Sequence, residues 1–582
     1  MIPIDEKARK NAEQWLKSNA IDETTKDVIK DMMENNPSEF NEAFYKNLEF
    51  GTGGLRGIMG VGTNRMNSYV VAMATQGFVN YIIKKNSQKK TIKSVISFDS
   101  RNNSKDFAKI TAQVMAANGF EVYLFEELRP TPCLSFALRY LKCDAGVMIT
   151  ASHNPKEYNG YKAYWNDGGQ LISPDDKLVI EEVLKITDYS MVNITKDETN
   201  IKILDSSFDE HYFNEVIKLS LSPEIIKKHS DINICYTPLH GTGITMVPKA
   251  LEIFGFKNIN IVKEQAVLDG NFPTCKSPNP EEHSAMSLGI ALSKKIDATL
   301  LLATDPDCDR VGIAIKDSKG EFILLNGNQT ASLLTYYILL RWKETNRFKG
   351  NEYTIKTIVT SELLKKISES FNVKNYDVFT GFKFIAEKIL LLEGKEKYIC
   401  GGEESYGFSI GDFVRDKDAI SACCLIAELC SWAKEKGKSL YDILLEIYQE
   451  YGFYKEDLLS ITIKGQKGAE QIQNMMLSFR ENPPKKLIGL DVVQIKDYLK
   501  QTDLNTKTNL SETLPFPKSN VIQFFLSDGS KISVRPSGTE PKIKFYFGVF
   551  NLLEKKEDFE ELNIKAEEKI QSIIKELNLV TE

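Results

Sequence analysis

The chain has 582 residues, which at roughly 150 residues per domain suggests about four domains and excludes a single hydrophobic core. Apolar residues make up 42% and charged residues 26% of the sequence, which excludes a disordered or fibrous protein. Lys and Arg together number 74 against 80 Asp and Glu, and the resulting net charge of −6 gives no reason to expect nucleic acid as a partner.

The first predicted element is a charged surface helix in MIPIDEKARKNAEQWLKS, which lacks the apolar core of a signal peptide. The longest apolar stretch, 420–433, is interrupted by Ser421, Glu428 and Ser431, so we expect no membrane span. Nine scattered cysteines without a CxxC pair indicate free thiols in a reducing compartment. These features predict a soluble cytoplasmic protein.

One order of elements recurs three times along the chain. Strands are predicted at 94–100, 121–125 and 145–150, then at 232–238, 258–262 and 298–304, and more faintly at 354–360, 372–379 and 397–400. A helix follows the first strand of each copy. Buried apolar strands alternating with crossover helices predict mostly parallel sheets. Hairpins are predicted around 166–169 (NDGG) and 317–320 (DSKG).

The expected fold class is therefore α/β, with three similar mixed-sheet domains in tandem and a smaller α+β domain at the C-terminus. Their expected ranges are 1–205, 206–322, 323–454 and 455–582. In the last domain, strands are predicted at LLSITIKG, NVIQFFLS, KISVRP and IKFYFGVF, and a helix at about 557–577. Ligands bind beyond the carboxyl ends of parallel strands, so the loops after the third strand of each copy are expected to line one cleft.

The loop after the third strand of the first copy reads TASHNP (150–155), and Lys162 lies ten residues beyond its serine. Ser152 could accept a phosphoryl group held by backbone N–H groups and by the lysine charge. A plain turn is the alternative. A Ser-His-Asp hydrolase is disfavoured because the side chains of Ser152 and His153 are expected to point apart, and no nucleophile-elbow glycines flank the serine.

The second loop, DPDCDR (305–310), places three carboxylates where they can converge on one hard cation. They belong to Asp305, Asp307 and Asp309. An EF-hand is excluded because Arg310 and Lys316 stand where that motif requires Gly and Glu. Zinc binding at Cys308 is disfavoured because no second Cys or His lies at ligand spacing. A solvated acidic turn remains an alternative, although Arg310 favours a site that also binds phosphate.

Two further loops carry groups suited to sugar and phosphate. GGEESYG (401–407) offers carboxylates and a hydroxyl between glycines, which suits a polyhydroxylated ligand, and an acidic helix start is the alternative. RPSGTEP (535–541) combines an arginine, two hydroxyls and a glycine in a possible cradle for a phosphate dianion. A plain β-turn is the alternative for this loop.

Together these loops resemble the α-D-phosphohexomutase family, in which TASHNP, DPDxDR, a GEESxG-like loop and RPSGTEP occur in this order. The match extends from FGTGGLRG (50–57) to the C-terminal domain. The resemblance implies three similar α/β domains and a small fourth one around a central cleft, in agreement with the repeat. The LSFALR stretch and the long N-terminus resemble the phosphoglucomutase branch.

The resemblance also implies roles for particular residues. Ser152 would be phosphorylated, Arg56 and Lys162 would stabilise the transferred charge and assist proton movement, and His153 would belong to the same catalytic loop. One Mg²⁺ per chain would be held by a phosphoserine oxygen and by Asp305, Asp307 and Asp309. The substrate would be bound by Arg310, Glu403, Ser405, Lys383, Arg535, Ser537, Gly538 and Thr539.

The implied activity is that of a phosphoglucomutase, which interconverts glucose 1-phosphate and glucose 6-phosphate through a phosphoserine and a glucose 1,6-bisphosphate that also serves as primer. Three aspartates and a phosphoserine carry about −5 against +2 from Mg²⁺, so the site also needs Lys162, Arg310 and Arg56. The alternatives are phosphomannomutase or phosphopentomutase activity, or a non-catalytic sugar-phosphate sensor. The intact Ser152 disfavours the sensor. The expected partner is a small-molecule hexose phosphate, with no nucleic acid or membrane, and the protein is expected to be a monomer or dimer.

Overall fold

The structure is a computed structural model that describes residues 3–51, 53–463, 466–537 and 542–579. The chain forms two compact units. The first comprises Met1–Thr357 and Val373–Leu440, and the second comprises Ile358–Asn372 and Tyr441–Glu582. Within the described ranges, none of the helices combines the length and the apolar character that a membrane span requires. All nine cysteines lie in these ranges, and each is a free thiol.

Three helices open the first unit: α1 (Glu6–Lys17), α2 (Glu23–Asn35) and α3 (Pro37–Phe44). Their first turns are capped by the side chains of Asp5, Asp22 and Asn36, each of which accepts a backbone N–H. The predicted N-terminal helix, α1, is thus present. It buries one face, because Trp15 packs against Phe44 in a small core that these helices share.

The first sheet contains β1 (Gly54–Ile58), β2 (Lys93–Phe98), β3 (Glu121–Phe125), β4 (Ala145–Ile149), β5 (Tyr158–Trp165) and β6 (Ile201–Leu204). Its order is β1-β5-β4-β2-β3-β6. The helices in this region are α4 (Ser68–Lys85), α5 (Ser104–Ala117), α6 (Thr131–Tyr140), α7 (Asp175–Leu184), α8 (Asp209–Val216) and α9 (Pro223–Lys228). Strand β2 is parallel to β3 and β4, whereas β5 is antiparallel to β4 and β1.

The second sheet contains β7 (Ile234–Thr237), β8 (Ile259–Ile261), β9 (Leu300–Thr304), β10 (Val311–Lys316) and β11 (Phe322–Leu325), in the order β11-β10-β9-β7-β8. Its helices are α10 (Gly243–Phe254), α11 (Lys263–Ala266) and α12 (His283–Lys295). The predicted hairpin around 317–320 is present as β10 and β11. The expected domain boundaries at 205, 322 and 454 remain our proposal.

The third sheet contains β12 (Glu352–Thr357), β13 (Lys374–Val378), β14 (Lys397–Gly402) and β15 (Phe408–Ile410), in the order β13-β12-β14-β15. Helices α13 (Gly327–Glu344), α15 (Phe382–Leu392) and α16 (Ala419–Glu435) belong to the same unit, whereas α14 (Glu362–Ser370) belongs to the second unit. In all three sheets, the first strand of the repeat lies between the second and the third and is parallel to both, and an antiparallel strand follows beside the third. The predicted repeat is therefore confirmed.

The predicted hairpin around 166–169 is only partly present. A turn forms there, with hydrogen bonds between Trp165 and both Gly168 and Gly169. The returning chain pairs with β5 through a single bridge between Tyr164 and Gln170. The reason is that β1, a hundred residues earlier in the chain, already occupies that edge of β5.

The second unit is built on antiparallel strands: β16 (Phe453–Thr462), β17 (Lys486–Leu487), β18 (Leu490–Asp497), β19 (Thr502–Asn505), β20 (Leu510–Thr513), β21 (Ile522–Leu526), β22 (Lys531–Pro536) and β23 (Lys542–Asn551). Its main order is β16-β23-β22-β21-β18-β19-β20. The helices are α17 (Leu440–Tyr451), α18 (Gln466–Glu481) and α19 (Phe559–Glu576). The four predicted strands and the final helix are present, whereas α18 and β17–β20 were not predicted. The expected α/β class with a sheet-rich C-terminal domain is confirmed.

Candidate active site

The TASHNP loop connects β4 to β5 and holds Ser152 in a left-handed backbone conformation, with φ of 53°. Thr150 fixes this geometry because its hydroxyl accepts the N–H of Ser152 at 2.8 Å and donates to Asp99 at 2.6 Å. The Ser152 hydroxyl is buried and donates to Asp305 Oδ2 at 2.7 Å. It also lies 3.2 Å from His153 Nδ1, so the expectation that the Ser152 and His153 side chains point apart is wrong. The positive φ changes the direction in which the serine side chain leaves the backbone.

A buried guanidinium organises the same loop. Arg101 follows β2, pairs with Asp99 and donates to four carbonyl oxygens, those of Ser152, Asn154, Pro155 and Tyr158. The planar fork of arginine donors suits several acceptors at once. This role of Arg101 was not predicted. The signal available was the charged run FDSRNN, which follows a buried strand at the carboxyl edge where the other loops lie.

The second loop brings three buried carboxylates together. Oxygen atoms of Asp305, Asp307 and Asp309 all lie within 4.8 Å of one another, and each residue is at most 1% exposed, which excludes the solvated acidic turn. The Oδ1 atom of Asp305 accepts the backbone N–H groups of Asp309 at 3.1 Å and Arg310 at 3.0 Å. The loop therefore uses one oxygen of Asp305 for its own fold and presents the other to Ser152.

Two lysines and a threonine contact the other two carboxylates. Lys162 Nζ lies 2.7 Å from Asp307 Oδ2 and 3.2 Å from Asp309 Oδ2, and Lys417 Nζ lies 3.0 Å from Asp309 Oδ2. The Thr131 hydroxyl donates to Asp307 Oδ2 at 2.9 Å. Among the described residues, no hydrogen-bond partner lies at Oδ1 of Asp307 or Asp309, although both atoms are buried. Such orphaned carboxylate oxygens fit a hard divalent cation.

The electrostatics of this cluster favour one more positive charge. Burial and the neighbouring carboxylates raise the pKa of Asp305 well above its usual range. Burial acts in the same direction on Asp307, but Lys162 outweighs it and holds the Asp307 pKa below its usual range. A bound divalent cation would favour the ionised form of all three aspartates.

The surroundings of the His153 imidazole favour its neutral form. Burial, together with the positive charges of Arg310 and Arg56, lowers its pKa to about 2. Its Nδ1 atom, 3.2 Å from the Ser152 hydroxyl, can therefore serve as a donor or as an acceptor, depending on the tautomer.

The two predicted arginines lie at the edge of the cluster. Arg56, on β1, has an exposed side chain whose Nη1 lies 3.4 Å from Asn154 Oδ1. Arg310 Nη1 donates to Glu281 at 2.6 Å. Lys417 is a further cation that pairs with a cluster carboxylate, beside Lys162. The neutralising roles expected of Arg310 and Arg56 stay predictions, and the charges of both act on the aspartates.

The third loop connects β14 to β15, so its alternative interpretation as an acidic helix start is wrong. Glu403 is buried, and the loss of hydration raises its pKa to about 7. Ser405 is half-buried in the same loop. The loop is joined to the aspartate loop because Val311 N donates to the carbonyl of Tyr406 at 3.0 Å.

Lys383 is the second residue of α15. Its ammonium group lies 3.6 Å from Asp176 Oδ2, on α7. Burial lowers the pKa of Lys383, and Asp176 opposes this effect. The contact joins a helix of the third repeat to a helix of the first.

The charged run 415–418 (RDKD) precedes the apolar helix α16 and supplies Lys417, which sequence reasoning missed. All four residues are at most 7% exposed. Burying four consecutive charges is costly unless each is paired, so a charged run next to a buried helix was the available signal.

The fourth loop belongs to the second unit. Arg535 is half-buried on β22, opposite Lys544 on β23. Ser537 N donates to the Lys542 carbonyl at 2.7 Å and so closes the base of the loop. The predicted residues Gly538 and Thr539 lie outside the described residues.

A buried serine hydroxyl beside three carboxylates and two lysines, beyond the carboxyl ends of strands in tandem α/β sheets, is an arrangement suited to phosphoryl transfer. Three family models match the chain: phosphoglucomutase/phosphomannomutase alpha/beta/alpha domain I at residues 47–190, domain II at 210–320 and domain III at 326–451. The chain therefore belongs to the phosphoglucomutase/phosphomannomutase family. It is a phosphohexomutase-type enzyme, an intramolecular phosphotransferase of the isomerase class.

Relatives agree with this assignment, and solved structures show a similar fold. A phosphoglucomutase of Staphylococcus epidermidis is 39% identical over 539 residues, which cover 91% of this chain and 96% of the relative. One of Staphylococcus aureus is 40% identical over 511 residues, covering 87% and 90%. The fold is similar to that of a putative phosphomannomutase from Thermus thermophilus, with a TM-score of 0.66, 20% identity and coverage of 91% and 99%. It is also similar to parafusin from Paramecium in its open form, with a TM-score of 0.65, 18% identity and coverage of 91% and 96%.

Proposed function

We propose that this enzyme is a phosphoglucomutase that interconverts glucose 1-phosphate and glucose 6-phosphate through phospho-Ser152 and a glucose 1,6-bisphosphate intermediate. The observation that carries the proposal is the 2.7 Å contact between the Ser152 hydroxyl and Asp305 at the buried aspartate cluster. The two staphylococcal relatives named phosphoglucomutase, which are similar over nearly their whole length, support glucose as the sugar.

Asp305, Asp307 and Asp309 would hold one Mg²⁺ together with a phosphoserine oxygen. The Oδ1 atoms of Asp307 and Asp309, which have no hydrogen-bond partner within the described part of the chain, support this assignment, because Mg²⁺ prefers oxygen ligands such as carboxylates. When bound, the ion would neutralise part of the charge on the phosphoryl group.

The residues of the chain would then divide the work of transfer. The bond between Ser152 Oγ and phosphorus breaks while phosphorus bonds to a free sugar hydroxyl oxygen, and the hydroxyl proton ends on Ser152 Oγ. Lys162 places a positive charge beside the cluster, and Arg56 would approach the phosphoryl group from β1. His153, being neutral, can exchange a proton with Ser152 across 3.2 Å. The reverse transfer from the other end of the bisphosphate restores phospho-Ser152.

Other loops would bind the parts of the substrate that do not react. Glu403 and Ser405 offer acceptors for sugar hydroxyls, and Arg310 offers a cation for phosphate. Lys383 is assigned to the same substrate only by resemblance. In the second unit, Arg535, Ser537, Gly538 and Thr539 would bind the non-reacting phosphate, since an arginine fork fits a phosphate group.

The first test of the proposal measures the mass of the intact protein and of its peptides after incubation with glucose 1,6-bisphosphate. We expect a gain of about 80 Da on the peptide that contains Ser152. The Ser152→Ala variant should take up no phosphoryl group and should lose mutase turnover. A Ser152→Ala protein that kept its full turnover would exclude the mechanism.

The sugar preference requires a separate comparison of kcat/KM for glucose 1-phosphate, mannose 1-phosphate and ribose 1-phosphate, with Mg²⁺ and a bisphosphate primer. An epimer or methylene difference is worth only about 1–3 kcal/mol in a pocket, so the values are expected to differ by about tenfold to hundredfold in favour of glucose. A higher value for mannose or ribose would reassign the substrate. Absence of turnover with all three would favour a sugar-phosphate sensor.

A further inference from the structure

Asp416 lies in the buried charged run 415–418, and its side chain is bound both by its neighbour Lys417 and by residues far away in the sequence. Its neighbour Asp418 caps α16 by accepting the N–H groups of Ile420 and Ser421, and it also accepts the Tyr212 hydroxyl. Arg415 pairs with Glu393. Asp416, which is 1% exposed, instead accepts hydrogen bonds from two side chains of the first repeat, about 250 residues earlier.

Both oxygens of Asp416 are fully used. Oδ2 accepts the Tyr164 hydroxyl at 2.7 Å and the Gln170 amide at 2.9 Å. Oδ1 accepts the backbone N–H of Lys417 at 2.8 Å and its ammonium group at 3.2 Å. A carboxylate with four donors is held in one orientation, and the Lys417 ammonium group is held with it.

These contacts lead directly to the aspartate cluster. The Lys417 ammonium group lies 3.2 Å from Asp416 and 3.0 Å from Asp309 Oδ2. The Lys162 ammonium group lies 3.2 Å from the same Asp309 oxygen. Lys162 and Tyr164 are two residues apart on β5, so they leave the same face of the sheet. Asp416 thus connects β5, the strand that carries Lys162, to Lys417.

We propose that Asp416 is a positioning residue, which holds Lys417 against Asp309 and keeps that lysine in register with Lys162 during phosphoryl transfer. Two long lysine side chains on different repeats would otherwise be free to turn towards any nearby anion, including the phosphate of the substrate. A displacement of about 1 Å in such a site costs about 100-fold in rate. This inference rests on the proposed function, because the effect is expected on the transfer step.

The test compares Asp416→Asn with the wild type in a single turnover. Each protein is labelled at Ser152 with a radioactive phosphoryl group, and transfer to glucose 1-phosphate is timed at a series of concentrations up to saturation. The rate is expressed per labelled site, so that misfolded molecules do not contribute. For Asp416→Asn we expect a fall of about 100-fold in this rate, with a change in KM below about threefold. The Tyr164→Phe variant removes one donor to Asp416 and should lower the rate by about tenfold.

Asp418→Asn is the matched control. Asp418 is the same residue type in the same run and is also 1% exposed, but it accepts hydrogen bonds from Tyr212 and from the start of α16. We expect this variant to transfer at the wild-type rate per labelled site. If Asp416→Asn does not fold, Tyr164→Phe decides the question.

The outcomes separate the two proposals. A wild-type protein that takes up no label at Ser152 would refute the proposed function. A wild-type protein that transfers normally, together with Asp416→Asn and Tyr164→Phe variants that match it per labelled site, would overturn the positioning role alone. An equal loss of rate in Asp418→Asn would also overturn it, because the effect would then follow from any disturbance of the run.

Discussion

Replacing Lys162 by methionine removes a buried cation from between two carboxylates while keeping a side chain of similar length. In the structure the Lys162 ammonium group lies 2.7 Å from Asp307 and 3.2 Å from Asp309, and its side chain is 12% exposed. With an effective dielectric constant of about 20, the two pairs are worth about 6 and about 5 kcal/mol before the cost of desolvation. After that cost, loss of one partner from a buried pair destabilises a protein by about 3–5 kcal/mol.

The expected effects on turnover and on metal binding have opposite signs. The kcat of Lys162→Met should fall by about 100-fold to 1000-fold, the usual effect of removing one electrostatic contact to the transferred charge. The variant should nevertheless bind Mg²⁺ about tenfold more tightly or better, since the metal no longer competes with an ammonium group for the same carboxylates; tenfold corresponds to about 1.4 kcal/mol. Steady-state kinetics measure the first effect and isothermal titration calorimetry measures the second.

Arg65→Met is the control for losing a buried cation. Arg65 is 5% exposed and pairs with Glu39 at 2.8 Å beside the N-terminal helices. This variant should lose stability while its kcat and its Mg²⁺ affinity stay near the wild-type values. The reasoning would be refuted if Lys162→Met kept kcat within about threefold of the wild type, or if its Mg²⁺ affinity were unchanged or weaker.

Three further predictions address other parts of the enzyme. Arg101→Lys cannot reproduce the fork that binds four carbonyls of the serine loop, so kcat should fall by about tenfold to 100-fold, and a variant as active as the wild type would contradict this role. Burial raises the pKa of Glu403 to about 7, so the folded protein retains a proton that the unfolded chain releases, and the free energy of unfolding should fall between about pH 4.5 and pH 7. Urea unfolding of metal-free protein at pH 5 and pH 7.5 should show this loss, and the Glu403→Gln substitution should reduce it. If the free energy of unfolding changed equally with pH in the wild type and in Glu403→Gln, the raised pKa of Glu403 would be contradicted. Arg535→Ala should raise KM by about tenfold to 100-fold with a smaller effect on kcat, and a loss confined to kcat would argue against phosphate binding in the ground state.

The repeated strands and the chemistry of the loops were accessible from sequence for a simple reason. Strands buried on both faces are continuous apolar runs, and β4 and β9 are fully buried along their length. The strands that were missed have the opposite character. All four residues of β20 are exposed, so neither face imposes an apolar pattern.

The residues of the active site likewise fall into those that could be predicted from the sequence and those that could not. Residues within one loop, such as the three aspartates after β9, could be assigned together because their spacing alone brings the carboxylates close. Thr131 and Arg101 are contacted by residues 50 to 180 positions away, and no local pattern marks those contacts.

The class of fold, the serine and the aspartates could therefore be predicted, since each depends on local periodicity or on residues a few positions apart. The contacts of Lys417 and Asp416 with the cluster, and the approach of Ser152 to His153, became visible only in the folded chain. These outcomes depend on which repeat packs beside which, and on one left-handed residue whose φ of 53° the surrounding hydrogen bonds maintain. Chain folding converts a separation of some 250 residues into a contact of about 3 Å, and local propensity carries no information about that step.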